Sequence, residues 1–308
     1  VNRKVAIVGV LDQRGSTNIS QAKSFMRFGF ETFPINYRTI INKYGYSFFE
    51  DMVLDILSKE KPHLTLWSKC NNVNSELIKK CSDYTINWLW NMDPINTIKQ
   101  CPEVLGHARV ADFSSCTGLG VAKWFEKQGV KKCYHILDGL DYDIFRPFPA
   151  VKEFKAGISF IGSRTPERDE YGKFLKENGY DVKFYGLGYG TSVLNDVFSL
   201  VCSSSHFMLS LNTYNDIEGY FSNRLLRYLG CGSCVFHLDP TESLGRFFRD
   251  REDLVFFKNK EDLLQKLKSL SMVEASRIAL RGRDTVLRNY TWDHTIKNIL
   301  DIVKEKNG

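Results

Sequence analysis

The 308-residue chain contains no apolar run long enough to span a membrane, only eight prolines, and no concentrated stripe of lysine or arginine. The first absence argues against a helical membrane protein. Glycine at 22 and proline at 8 are ordinary for this length, which excludes collagen-like, disordered and low-complexity chains. The 42 lysines and arginines exceed the 36 aspartates and glutamates by 6, with +4 of the excess falling before Ala150 and +2 after it. So small an excess suits an enzyme that handles phosphates and equally permits weak attraction to nucleic acid or an anionic membrane. The eight cysteines, at 70, 81, 101, 116, 133, 202, 231 and 234, lack the spacing of a disulfide framework and read as reduced core thiols. Val5-Ala-Ile-Val-Gly-Val10 is strand-like, with no cleavage site behind it, so a cytoplasmic protein is expected.

What is present is a rhythm. Short β-rich apolar runs alternate with amphipathic stretches: Lys4 to Val10, Ile19 to Phe28, Glu31 to Asn36, Phe48 to Lys59 and His63 to Trp67. The pattern continues through a helix at Asn74 to Cys81, strands at Tyr84 to Trp90 and Arg109 to Ser114, a helix at Gly118 to Gln128 and a strand at Cys133 to Ile136. Alternation of this kind implies parallel strands and a Rossmann-like domain. The proline-bearing segment Asp143 to Lys152 reads as a connection, which sets the expected domains at 1–148 and 149–308. After it the alternation restarts, with helices expected at Glu167 to Glu177 and Tyr220 to Leu229. It closes on three helices, the last of which, Trp292 to Lys306, is expected to pack back on the first domain.

Chemistry is concentrated at two places. In Phe160-Ile-Gly-Ser-Arg-Thr-Pro-Glu-Arg168 a strand enters a Gly162-Ser163 turn and then a helix bearing Arg164 and Arg168. Glycine admits an anion close to the backbone, helix amides attract phosphate, and arginine adds a fork of donors, so a diphosphate cradle is expected. In Gly219 to Cys234, residues Ser222, Asn223 and Arg224 are placed at a helix start where an anion would lie, with Arg227 one turn later. Cys231-Gly-Ser-Cys234 lies where a helix yields to a strand and has no second Cys-x-x-Cys, so it reads as packing thiols; no metal site is expected. Gly186-Leu-Gly-Tyr-Gly190 is a poor match to a dinucleotide fingerprint and reads as local structure, with Tyr185 before it a candidate wall of a base pocket. Asp93, after the aromatic strand Trp88-Leu-Trp-Asn-Met, and Asp12, in the loop after the first strand, are the candidate general bases; His107 and His135 read as structural histidines.

These segments, with His135-Ile-Leu-Asp-Gly-Leu-Asp-Tyr-Asp-Ile-Phe-Arg-Pro147 and Trp88 to Pro94, resemble nucleotide-sugar glycosyltransferases of the GT-B fold, and among them the CgeB-like spore-maturation group. The layout is also similar to phage DNA glucosyltransferases. The resemblance implies two Rossmann-like domains facing across a cleft, the second holding a nucleoside-diphosphate sugar, with a UDP-linked donor expected and no tightly bound cofactor. Gly162, Ser163, Arg164, Arg168 and Arg224 would surround the diphosphate, and the first domain would hold the acceptor: a glycan, a small molecule or modified DNA. It implies metal-independent hexosyl or pentosyl transfer, with retention or inversion left open. One departure stands out: where the family commonly carries a ribose-binding glutamate three residues after the arginine matched by Arg224, this chain has Arg227. Either the donor is an unusual one, or Glu218 or Asp216 grips the ribose from another direction. A non-catalytic nucleotide- or nucleic-acid-binding module is the alternative outside enzyme chemistry.

Overall fold

A computed structural model of the chain describes residues 3–307. The chain divides into two compact units, one formed by residues up to Asp138 together with those from Trp292 onward, the other by Gly139–Thr291.

In the first unit the apolar runs become β1 (Lys4–Gly9), β2 (Glu31–Asn36), β3 (Leu64–Ser68), β4 (Ile86–Asn91), β5 (Phe113–Cys116) and β6 (Cys133–His135). All pair in parallel, in the order β2-β1-β3-β4-β5-β6. A parallel sheet covered on both faces needs strands that are apolar throughout, and β3 is buried at all five positions. Polar groups taken into this core are paired: Trp67 Nε1 donates to Asn87 Oδ1 at 2.8 Å and Trp88 Nε1 to Ser115 Oγ at 2.9 Å. The last helix, Trp292–Asn307, belongs to this unit because Trp292, Ile296, Ile299 and Val303 recur on one helical face and enter the same core as Trp88 and Trp90. Asp293 fixes its start by accepting from Ser24 Oγ at 2.6 Å and pairing with Arg27 at 2.8 Å.

The second unit is built on β7 (Ala156–Ile161), β8 (Val182–Tyr185), β9 (Ser205–Ser210), β10 (Val235–Leu238) and β11 (Val255–Phe257). These too are parallel, in the order β11-β10-β9-β7-β8. The segment around Asp143 to Pro149 packs within this unit, with Ile144 fully buried and Phe145 set edge-on to Phe198 at 5.3 Å. Leu140 and Thr291, the points where the chain enters and leaves the unit, bridge one another.

Two local readings change, and one helix is added to them. Arg109 lies in a helix, Glu103–Val110, and the strand begins at Phe113; Val104, His107 and Ala108 are buried at helical spacing behind Pro102. Tyr37–Tyr44 is a helix capped by the Asn36 side chain. The helix expected from Tyr220 starts at Arg224, because Gly219 is left-handed (φ 62°) and Asn212 Oδ1 takes the Ser222 amide at 3.0 Å, holding residues 219–223 in a turn. No helix among the described residues is long and apolar enough to cross a membrane, and all eight cysteines are free thiols.

Candidate functional site

Strand order locates the site before any side chain is considered. In the second unit, connections run to opposite sides from β7, toward β8 and toward β9, and in open parallel sheets ligands bind outside the carboxyl ends of strands at such a reversal. The turn Gly162-Ser163 leaves β7 there, and Leu211 to Thr213 leave β9 beside it.

Two guanidinium groups converge at this point. Arg168, from the first turn of the helix Pro166–Glu177, is 2% exposed. It donates to Ser163 O at 2.5 Å, Leu211 O at 3.0 Å and Thr213 Oγ1 at 3.3 Å. Arg224, the first residue of the helix Arg224–Gly230, is partly buried and also donates to Leu211 O, at 2.5 Å. Both lie over the ring of Phe160, at 4.9 and 5.0 Å from its centre. Neither meets a carboxylate in an ion pair among the described residues. Burial, and then the charge of Arg224, lower the Arg168 pKa to about 10, and burial also lowers that of Arg224. Around them Arg168 Nε, Arg224 Nε, Ser222 Oγ and Asn223 Oδ1 are buried without hydrogen-bond partners. Buried cations and unmet polar groups are costly unless an anion answers them. This socket therefore favours a compact polyanion.

The glycines hold the socket open. A Cβ on Gly162 would fall 2.8 Å from Arg224 Nη1 and 2.8 Å from the Phe160 ring. Gly186 adopts φ 116°, and its Cβ would fall 2.4 Å from Gly162 O, so the start of the Gly186 to Gly190 stretch packs against the back of the Gly162-Ser163 turn. Tyr228 braces the same turn, its hydroxyl accepting from Ile161 N at 2.7 Å.

The other expected residues are placed as follows. Ser163 contributes its carbonyl to Arg168, and Arg164 is exposed and paired with Asp169 at 2.7 Å. Tyr185 is buried, its ring edge-on to Phe154 at 6.3 Å. Arg227 lies over the Phe145 ring at 4.4 Å, and Glu218 pairs with Arg246 at 3.6 Å. Cys231 donates to Ser199 Oγ at 3.4 Å, and burial lifts the Cys234 thiol to about 12, so the Cys-x-x-Cys pair is packed rather than poised for exchange. His237, buried on β10, holds Ser210 Oγ at 2.8 Å through Nδ1; burial, then Arg224, push its pKa to about 3. In the first unit, Asp93 forms an ion pair with Lys69 at 2.7 Å, and Asp12 accepts from Thr39 Oγ1 at 3.5 Å. His107 is buried against Val73 O at 2.7 Å, and His135 meets Thr117 O at 3.3 Å. Sequence reasoning passed over Leu211, whose contribution is a backbone carbonyl carrying no side-chain signal, and the role of Phe160 as the surface on which both arginines rest.

The fold is the α/β, GT-B-type architecture of solved glycosyltransferase-like structures. It is similar to sucrose-phosphate synthase from Thermosynechococcus elongatus at 11% identity and a TM-score of 0.65, with 98% of each chain covered. HepE from Anabaena, solved in complex with UDP-glucose, matches at 9% identity and a TM-score of 0.64, covering 98% of this chain and 99% of that one. A putative UDP-N-acetylglucosamine 2-epimerase from Listeria monocytogenes matches at 11% identity and a TM-score of 0.60 over 99% and 97% of the two chains, so the shared fold does not by itself fix the reaction. Residues 167–301 match a family model described as glycosyl transferase-like. No curated protein matches the sequence.

Proposed function

We propose that the protein is a glycosyltransferase that moves a sugar from a nucleoside-diphosphate sugar to an acceptor hydroxyl, the diphosphate lying against Arg168 and Arg224. The observation that carries this reading is the pair of carboxylate-free guanidinium groups sharing Leu211 O at the β7/β9 reversal. The glycosyl transferase-like match over residues 167–301 includes both arginines and supports it. HepE's complex with UDP-glucose makes a UDP-linked hexose the first donor to test.

As the glycosidic bond to the donor breaks, negative charge builds on the departing diphosphate. Two arginines fixed beforehand by Leu211 O and Phe160 strengthen their contacts with that charge without reorganising, which lowers the barrier. Arg227, stacked on Phe145, stands where related enzymes carry a ribose-binding acid, so the ribose is held by other groups in this reading. Asp93 is the proposed base of an inverting reaction.

A thermal-shift panel of nucleotide sugars, followed by mass spectrometry of reactions with the stabilising donor, tests the proposal. Stabilisation by UDP sugars together with donor turnover is the expected result. Binding without hydrolysis or transfer would instead fit a nucleotide-responsive module, and salt-dependent duplex binding would direct the acceptor search to modified DNA. Indifference to every nucleotide would sink it.

A further inference from the structure

The first unit has a reversal of its own. Its order β2-β1-β3 places the carboxyl ends of β1 and β3 side by side at the point where connections diverge. A cavity of about 190 Å³ opens there, lined by Val10, Ser16, Thr17, Asn18, Tyr37, Arg38, Ser68, Lys69 and Met92. Its size, roughly six water volumes, suits a small charged group with a few attached atoms.

Several independent features of this cavity favour an oxyanion. The 11-residue helix Thr17–Arg27 begins at its wall, capped by Ser16, so first-turn amides and the positive end of the helix dipole face this region. Ser68 lines the cavity and is 3% exposed, yet its hydroxyl has no hydrogen-bond partner among the described residues. Tyr37 is 1% exposed; its hydroxyl accepts from Arg38 Nε at 3.1 Å, which leaves its own proton to donate. Lys69 spends one bond on Asp93, at 2.7 Å, and keeps two N–H donors. The loop that presents it is strained: Lys69, Cys70 and Asn72 all hold left-handed φ angles of 60°, 58° and 67°, and none is glycine. Lys69 N is tied to Trp90 O at 3.0 Å and Cys70 N to Ser68 O at 2.8 Å, fixing that conformation. Strain of this kind persists where the surroundings over-determine a functional geometry. The Asn18 side chain, by contrast, is already used, accepting from Val10 N at 2.8 Å and donating to Gln21 at 2.9 Å, so it shapes the wall rather than reading the ligand.

We propose that this cavity binds the phosphate or carboxylate of an anionic acceptor, with Ser68, Lys69, Tyr37 and Arg38 as its donors. The word acceptor rests on the transfer reading above; the anion site does not. The donors outnumber the acceptors in the lining, and the carboxylate of Asp93 is already held by Lys69.

The test is calorimetry on the full chain carrying Arg168→Ala and Arg224→Ala, which removes the anion socket of the second unit. The probes are a hexose 6-phosphate, a hexuronate and the uncharged hexose. The anionic probes are expected to bind about tenfold or more tightly than the uncharged hexose, and the tighter of the two identifies the anion. Adding Lys69→Ala should weaken anion binding about tenfold and Ser68→Val several-fold, with circular dichroism confirming the fold. Lys69→Gln and Arg38→Ala serve if Lys69→Ala does not fold. Equal affinity for charged and uncharged hexose overturns the proposal, as does undiminished anion binding in the folded variants. Failure of the transfer reading would appear elsewhere, as a wild-type protein that binds these anions but neither binds nor turns over nucleotide sugars.

Discussion

Arg168 and Arg224 donate to one carbonyl oxygen, that of Leu211, and lie over one aromatic ring, that of Phe160. Two like charges share these supports with no carboxylate between them; burial lowers the pKa of each, and the charge of Arg224 lowers that of Arg168 further. Their common feature is that a bound diphosphate would relieve both. Replacing either with alanine should therefore lower affinity for UDP or a UDP sugar by about 10- to 100-fold, measured by calorimetry, with a matching loss of turnover. Lysine should not restore it at either position, because a point ammonium cannot keep the carbonyl contact and the stacked plane while still reaching the ligand.

Gly162 governs the same pair by exclusion. In Gly162→Ala the added methyl would fall 2.8 Å from both Arg224 Nη1 and the Phe160 ring. The guanidinium is the more movable neighbour, so nucleotide affinity should fall severalfold or more while the fold loses only about 1–3 kcal/mol. Gly186→Ala should behave differently, since it meets the backbone oxygen of Gly162 at 2.4 Å from a left-handed position. Its main effect should be a lower urea midpoint. Measuring both quantities for both variants separates displacement of a ligand group from strain in the fold.

The socket was partly legible in the sequence because a strand, a Gly-Ser turn and a helix-borne arginine are local features, and local patterns survive folding. Arg224 was legible for the same reason. What joins them was not, since Leu211 acts through its backbone and its place beside Gly162 follows from β9 pairing with β7 across an intervening strand and two helices. The helix boundary at Arg224 was hidden because its cause, the Asn212 side chain on the Ser222 amide, lies 10 residues away. The partner of Arg164 was not legible either: its charge beside the turn suits a phosphate, and Asp169 on the adjoining helix meets it at 2.7 Å.

Acid sensitivity should trace to His237. It is fully buried and neutral, with its pKa pushed to about 3 by burial and by Arg224, whereas in the unfolded chain it titrates near 6.5. A depressed folded pKa means that the unfolded state binds the extra proton first, so stability is whole above about pH 6.5 and declines as pH falls toward about 3. The loss from this one residue should reach about 2 kcal/mol at pH 5. His107, also lowered by burial, adds to it with the same sign. Urea unfolding between pH 4 and pH 7, on the order of these pKa values, should show a flatter profile for His237→Gln than for the wild type. Parallel profiles would mean that the acid loss arises elsewhere.

Asp93 is held as a base would need to be held. Its amide donates to Asn91 Oδ1 at 3.3 Å while Asn91 Nδ2 donates to its carbonyl at 3.0 Å, a closed ring that fixes the backbone at the carboxyl end of β4. The carboxylate then meets Lys69 at 2.7 Å. If Asp93 takes the acceptor proton, Asp93→Asn should cut kcat about 100-fold or more while leaving UDP affinity within about twofold, since general-base catalysis contributes on that scale. Asp93→Glu should restore part of the lost kcat. A purely structural Asp93 would give a different signature: Asp93→Asn, still able to accept from Lys69, would keep kcat, and any loss would appear in the unfolding midpoint.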